Sequence, residues 1–175
     1  VSKLELWHNN RDFDRIPYDQ GCVIICEDMS PLRKMMAKKL RKLGLDVIEM
    51  EDGTKMVDYF KTHGYRSQTR RIDLILTDEE MLNMNGSIAL MELRRKGMNI
   101  ACIMVTGNAL DHQKQMFYAR RADGVLAKPY SPQELRDVLD RFFYMPASIE
   151  PLLSIEPSPS MFIISFSRIR GRDPL

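Results

Sequence analysis

Four short stretches of this 175-residue chain hold the side chains with chemistry to offer. They are Glu27-Asp28, Thr77-Asp78 with Glu79-Glu80 behind it, Thr106-Gly107-Asn108, and Lys128-Pro129-Tyr130. Each follows a short apolar run: Cys22 to Cys26, Leu74 to Thr77, Ala101 to Val105, and Val125 to Ala127. Runs that are apolar on both faces are expected for inner strands of a parallel sheet covered by helices. In open sheets of that kind, ligands bind beyond the carboxyl ends of the strands. Three carboxylates (Glu27, Asp28, Asp78), a hydroxyl (Thr106) and an ammonium (Lys128) are therefore delivered to one edge. Each residue alone has a plainer role: an acid before a helix caps it or complements its dipole, and Thr is a good strand former. The combination is harder to explain that way. Like charges about 4 Å apart repel by about 4 kcal/mol at an effective dielectric of 20, so a cation, a proton or Lys128 must offset them. A cage of carboxylates, carbonyls and water is what Mg²⁺ prefers. The edge thus reads as a Mg²⁺ pocket with one carboxylate left to react.

The elements that position these residues alternate from residue 22 to about 144. A further run, Asp46 to Met50, completes five strands. Between the first two runs, Leu32, Met35, Met36, Leu40 and Leu43 form a stripe at helical spacing, with Arg33, Lys34, Lys38, Arg41 and Lys42 opposite. Ser30-Pro31 supplies a cap and a first-turn proline, and Gly44 a stop. A second helix follows Gly53, a third takes in Ile88 to Arg95, and a fourth spans about Ala109 to Arg121. The fifth opens on the capping box Ser131-Pro132-Gln133-Glu134 and buries Leu135, Val138, Leu139 and Phe142. Strands alternating with helices predict an α/β, doubly wound, five-stranded parallel sheet.

The flanks differ. Residues 1–20 are polar and charged and read as a linker or an extra N-terminal segment, helical if ordered; 21–145 form the domain. Five of the nine prolines fall in 146–175, a Pro/Ser-rich tail expected to be disordered apart from the apolar patch Met161 to Ile164. A net charge of +2 gives no reason to expect nucleic acid or an anionic membrane as partner. No apolar run approaches the roughly 20 residues needed to span a bilayer, and no secretory signal is evident. Cys22, Cys26 and Cys102, an odd count inside apolar runs, are expected to be free thiols in a reducing cytosol, which places the chain in the cytoplasm. His8, His63 and His112 lack partners at metal-ligand spacing.

Taken in order, Glu27-Asp28, Asp78-Glu79-Glu80-Met81-Leu82-Asn83-Met84-Asn85-Gly86, Thr106-Gly107-Asn108-Ala109 and Ala127-Lys128-Pro129-Tyr130 resemble the response-regulator receiver family over residues 21–144. The resemblance implies a flavodoxin-like sheet of strand order 2-1-3-4-5 and phosphorylation of Asp78 by a phosphohistidine donor. It implies that Asp28 and Asp78 bind Mg²⁺ directly, Glu27 partly through water, and the backbone carbonyl of Glu80 as well. Lys128 and Thr106 would each pair with a phosphoryl oxygen. It further implies a cis Lys128-Pro129 bond, a histidine kinase or histidine phosphotransfer protein as donor docking beside the first helix, and a downstream protein target at the fourth helix, fifth strand and fifth helix.

This chain departs from the family pattern at several positions. Glu27 replaces the commoner Asp. Leu82 stands for the usual Pro and Asn85 for the usual Asp, in the loop after Asp78. Val125 takes the place of an aromatic that turns inward on activation in the family, so this chain has no aromatic there to give that readout; Tyr130 is the substitute candidate, with packing as its plainer role. Glu80 lies where the family tunes phosphoryl lifetime. Two rival readings stand beside the receiver: a pseudo-receiver acting as a phosphorylation-independent interaction module, and an aspartate-nucleophile phosphohydrolase, whose Asp-x-Asp motif Asp78-Glu79-Glu80 matches only loosely. The chain is expected to catalyse only its own phosphorylation. It is either a stand-alone regulator or the receiver of a hybrid histidine kinase.

Overall fold

The computed structural model describes residues 13–64 and 71–146 in full and the backbone of 4–6. Five parallel strands form as expected: β3 (Cys22–Cys26), β4 (Asp46–Met50), β5 (Leu74–Thr77), β6 (Ala101–Thr106) and β7 (Gly124–Ala127). Their spatial order is β4-β3-β5-β6-β7, the flavodoxin-like pattern. A sixth strand, β1 (Leu4–Leu6), pairs antiparallel with β7. Alternate residues supply the two faces of the sheet. Ile24, Cys26, Met50, Ile75, Cys102, Met104 and Val125 pack with residues of α2 (Gly53–His63), α3 (Gly86–Arg95) and α4 (Asp111–Ala119). Their neighbours Val23, Ile25, Leu74, Leu76, Ile103, Val105 and Leu126 are buried as well. The helices α1 (Ser30–Lys42) and α5 (Pro132–Leu139) pack on β3, β4 and β7. The three cysteines form no disulfide among the described residues and are buried within these strands.

The N-terminal segment forms no α-helix where it is described. It contributes β1, the short strand β2 (Ile16–Pro17) beside β8 (Phe143–Tyr144), and a 3-10 turn at Tyr18–Gln20. Charged neighbours mask its apolar residues in the sequence. Phe13 meets Phe142 edge to face, and the fully buried Tyr18 donates its hydroxyl to Asp140 at 2.7 Å. An edge strand such as β7 offers unpaired backbone groups, and β1 satisfies them. The tail beyond Pro146, with its apolar patch, lies outside the described residues.

Helix signals differ in how they were realised. The Ser131 capping box forms, with Glu134 N donating to Ser131 Oγ at 3.1 Å and Ser131 N to Glu134 Oε2 at 2.7 Å. Gly44, at φ +95°, ends α1 in a conformation that suits glycine. Ser30 is no cap: α1 begins at Ser30 itself, and Met29 occupies the cap position without a side-chain bond. The α1 stripe is also narrower than the spacing implies. Met36, Ala37 and Leu40 are buried, whereas Leu32 and Leu43 are half-buried and Met35 is exposed.

Candidate functional site

Pairing register places the strand ends that matter side by side. Cys26 lies opposite Thr77, and Thr106 opposite Ala127. The next residue along β3 is therefore Glu27, along β5 Asp78, and along β7 Lys128. Main-chain bonds hold these ends: Glu27 N to Met50 O at 3.1 Å, Asp78 N to Cys26 O at 2.9 Å, and Lys128 N to Thr106 O at 2.8 Å. Lys128 Nζ reaches Glu27 Oε2 at 2.7 Å and Asp78 Oδ2 at 2.6 Å, so one ammonium compensates two carboxylates. The Lys128-Pro129 bond is cis, as the resemblance implied. Burial alone would lower the Lys128 pKa, but hydrogen bonds to Asp78 and Glu27 outweigh it and raise the value. Burial pushes the neighbouring Tyr130 phenol up.

Asp28 does not join a three-carboxylate group. Among the described residues, no three His, Cys, Asp or Glu side chains stand close enough together to hold a metal ion. Glu27 is buried, whereas Asp28, in the bend that follows the strand, is exposed. The donor set still fits Mg²⁺. That ion takes one or two carboxylates and keeps several waters, and here Glu27 and Asp78 supply two carboxylates that already share a cation. Thr106 is buried, its Oγ accepting from Asn108 N at 3.1 Å. Glu80 is exposed.

The loop after Asp78 is pinned by contacts rather than by a proline. Leu82 is exposed, but Asn83 Nδ2 donates to Asp52 Oδ2 at 2.6 Å and Gly53 N to Met84 O at 3.2 Å. Asp52 itself caps α2 through Lys55 N. Gly86 must be glycine, since a Cβ there would overlap the Asp78 carbonyl oxygen. Val125 is sealed in the core. Half-buried Tyr130 lines an apolar cleft of about 350 Å³ with Leu32, Met35, Met36 and Pro129.

Two contributions were missed in the sequence. Arg33, assigned to the solvated side of α1, donates Nη1 to Glu27 O at 2.6 Å and so braces the acidic strand end. Glu79 is buried, and its carboxylate accepts from Ser87 N and Ser87 Oγ. An arginine one turn into a helix after an acidic strand end is too common a pattern to single out. The position of Glu79, between the reactive aspartate and a helix start, was the available signal for the second.

The fold and the edge together define a flavodoxin-like domain with an acid and lysine pocket. The sequence profile described as the response regulator receiver domain matches residues 23–140, more than half of the chain, and the chain belongs to that family. It is 28% identical over 122 residues to hybrid signal transduction histidine kinase I of Dictyostelium discoideum, covering 67% of this chain and 7% of that protein. It is 26% identical over 121 residues to sensor histidine kinase RcsC of Salmonella typhi, covering 69% and 12%. The chain thus spans a small part of these relatives. Among solved structures it resembles chemotaxis protein CheY4 of Vibrio cholerae, with TM-score 0.62 and 25% identity over 70% of this chain and 98% of that one. The receiver domain of Francisella response regulator 1452 shares the fold, with TM-score 0.60 and 22% identity over 69% and 93%. No helix among the described residues is long and apolar enough to cross a membrane.

Proposed function

We propose that this receiver domain is a phosphoacceptor, taking a phosphoryl group from a phosphohistidine onto Asp78 in a Mg²⁺-dependent reaction and signalling through the resulting conformational change. The observation that carries this reading is the convergence of Lys128 Nζ on Asp78 and Glu27 at adjacent strand ends. An Asp78 carboxylate oxygen attacks phosphorus and forms the acyl phosphate. The P–N bond to the donor imidazole breaks, and its electron pair stays on the ring nitrogen. Phosphoryl transfer depends on positioning and charge neutralisation more than on covalent assistance. Lys128 supplies one such charge, moving from its carboxylate pairs toward a phosphoryl oxygen. Thr106 Oγ, which only accepts a bond now, keeps a proton to donate to another. Glu27, Asp78 and the Glu80 carbonyl would hold Mg²⁺, joined by Asp28 once its exposed side chain turns in, and the bound ion would neutralise phosphoryl oxygens.

In this reading the donor is a histidine kinase or histidine phosphotransfer protein, and a downstream protein reads the phosphorylated state. The chain itself contacts neither nucleic acid nor membrane, works in the cytoplasm, and catalyses only its own modification. The test is intact mass after incubation with Mg²⁺ and a small phosphodonor. A phosphoryl adduct that requires Mg²⁺ and is lost in Asp78→Asn is expected. If folded protein gains no adduct, even from a phosphorylated histidine protein, the reading fails and the interaction module replaces it.

A further inference from the structure

Beside the reactive aspartate lies a second buried acid, Glu79, that the phosphoryl chemistry does not use. Its main chain is tied to Asp78: Glu79 N donates to Asp78 Oδ1 at 2.7 Å. With Lys128 on Oδ2, this fixes the Asp78 carboxylate at both oxygens. The rest of Glu79 is tied to the start of α3. Its carbonyl accepts from Gly86 N at 3.2 Å, its Oε2 from Ser87 N at 2.9 Å, and its Oε1 from Ser87 Oγ at 2.8 Å. Ser87 N is one of the first-turn amides that a helix leaves without an internal partner, and the end of a helix that carries them favours an anion. Arg120, at the end of α4, donates Nη1 to Ser87 Oγ and lies 4.0 Å from Glu79 Oε1. Arg120 and Glu79 also line a polar cleft of about 250 Å³ with Thr106 and Asn108.

A buried carboxylate next to another one raises the electrostatic cost of the site and needs a compensating role or partners. Partners are present: Ser87 at the start of α3 holds both carboxylate oxygens of Glu79, and the peptide N–H of Glu79 itself holds Asp78 Oδ1. We propose that Glu79 is a positioning residue for the phosphoacceptor, orienting the Asp78 carboxylate through its own amide while Ser87 and Arg120 hold its side chain. The effect on phosphorylation rests on the phosphoacceptor reading; the hydrogen bond does not. The anchor needs acceptor atoms at Glu79, and a neutral amide oxygen can supply the one that meets Ser87 N.

The experiment compares wild type, Glu79→Ala and Glu79→Gln by two readouts. The first is the amide proton shift of residue 79 in ¹⁵N-labelled protein, which reports the bond to Asp78 without any phosphorylation. The second is the phosphorylation rate at saturating small phosphodonor and Mg²⁺, with Asp78→Asn as blank. In Glu79→Ala the amide resonance should move upfield. The saturating rate should fall on the order of tenfold, part of the hundredfold that a 1 Å misplacement can cost. The half-saturating phosphodonor concentration should stay put. Glu79→Gln should keep both readouts near wild type. A folded Glu79→Ala with an unmoved amide resonance overturns the proposal, and so does Glu79→Gln behaving like Glu79→Ala. If Glu79→Ala does not fold, Ser87→Ala should shift the same resonance by less in the same direction, and no shift there overturns it. If wild type itself is not phosphorylated, the phosphoacceptor reading falls, and the amide shift still decides whether Glu79 orients Asp78.

Discussion

Lys128→Met keeps most of the side-chain volume and removes the charge that Glu27 and Asp78 share. Each carboxylate lies within 2.7 Å of the same nitrogen, so the two facing oxygens are no more than about 5 Å apart. At that distance two unit charges repel by about 3 kcal/mol at an effective dielectric of 20, a fair value where the lysine side chain is 22% exposed. Two short charge-assisted hydrogen bonds go as well. Stability at neutral pH should therefore fall by about 3 kcal/mol, at the lower edge of what breaking a buried ion pair costs. Urea unfolding followed by far-ultraviolet circular dichroism measures it. Adding Glu27→Gln to Lys128→Met removes one of the repelling charges and should restore most of that loss. Because the folded state raises the Lys128 pKa, its contribution is complete below the unfolded value of about 10.4 and disappears as pH climbs through the folded one. The gap between wild type and Lys128→Met should accordingly be flat up to pH about 10 and close above it. A loss below about 1 kcal/mol would put the pair among ordinary surface salt bridges and refute the argument. Additivity of the two substitutions to within about 0.5 kcal/mol would do the same.

Three further outcomes are expected. Arg94 pairs with Asp123 at 3.1 Å with both side chains buried, and donates to the carbonyls of Met98, Ile100 and Arg121; Arg94→Met should cost about 3–5 kcal/mol in denaturant melts, and a cost under about 1 kcal/mol would show that the pair is not what ties α3 to β6 and β7. Gly86→Ala should lose about 1–3 kcal/mol and slow formation of the Asp78 adduct, since its new Cβ displaces the Asp78 carbonyl; wild-type rate and stability together would contradict the packing. Burial and the Asp140 hydrogen bond hold the Tyr18 phenol well above its ordinary value, so folding stability should drop as pH rises above about 10, where the unfolded chain ionises first. Tyr18→Phe should flatten that alkaline slope, and an unchanged slope measured by urea titration at several pH values would assign it elsewhere.

Much of the site was legible because strand ends in a parallel sheet are fixed by local pattern. Short apolar runs two-sided in character are expected for inner strands, so Glu27, Asp78, Thr106 and Lys128 were expected at one edge, and the strand pairing puts the ends of those runs side by side. Punctuation was legible too where its chemistry is local, as in the Ser131 capping box and Gly44. The N-terminal segment was not: its strands exist only because β7 and β8 present partners from more than a hundred residues away.

Residue types and their order thus determined the family, the sheet and the reactive edge by themselves. What tertiary structure decided was how charge is distributed at that edge. Only folding shows that Lys128 bridges Glu27 and Asp78 while exposed Asp28 stands apart, that Arg33 turns inward, and that Glu79 is held by Ser87 and Arg120. Hydrophobic periodicity reports which side of an element is buried, a property of neighbouring residues. Which charge meets which is set by the packing of elements distant in the chain, and no local pattern encodes it.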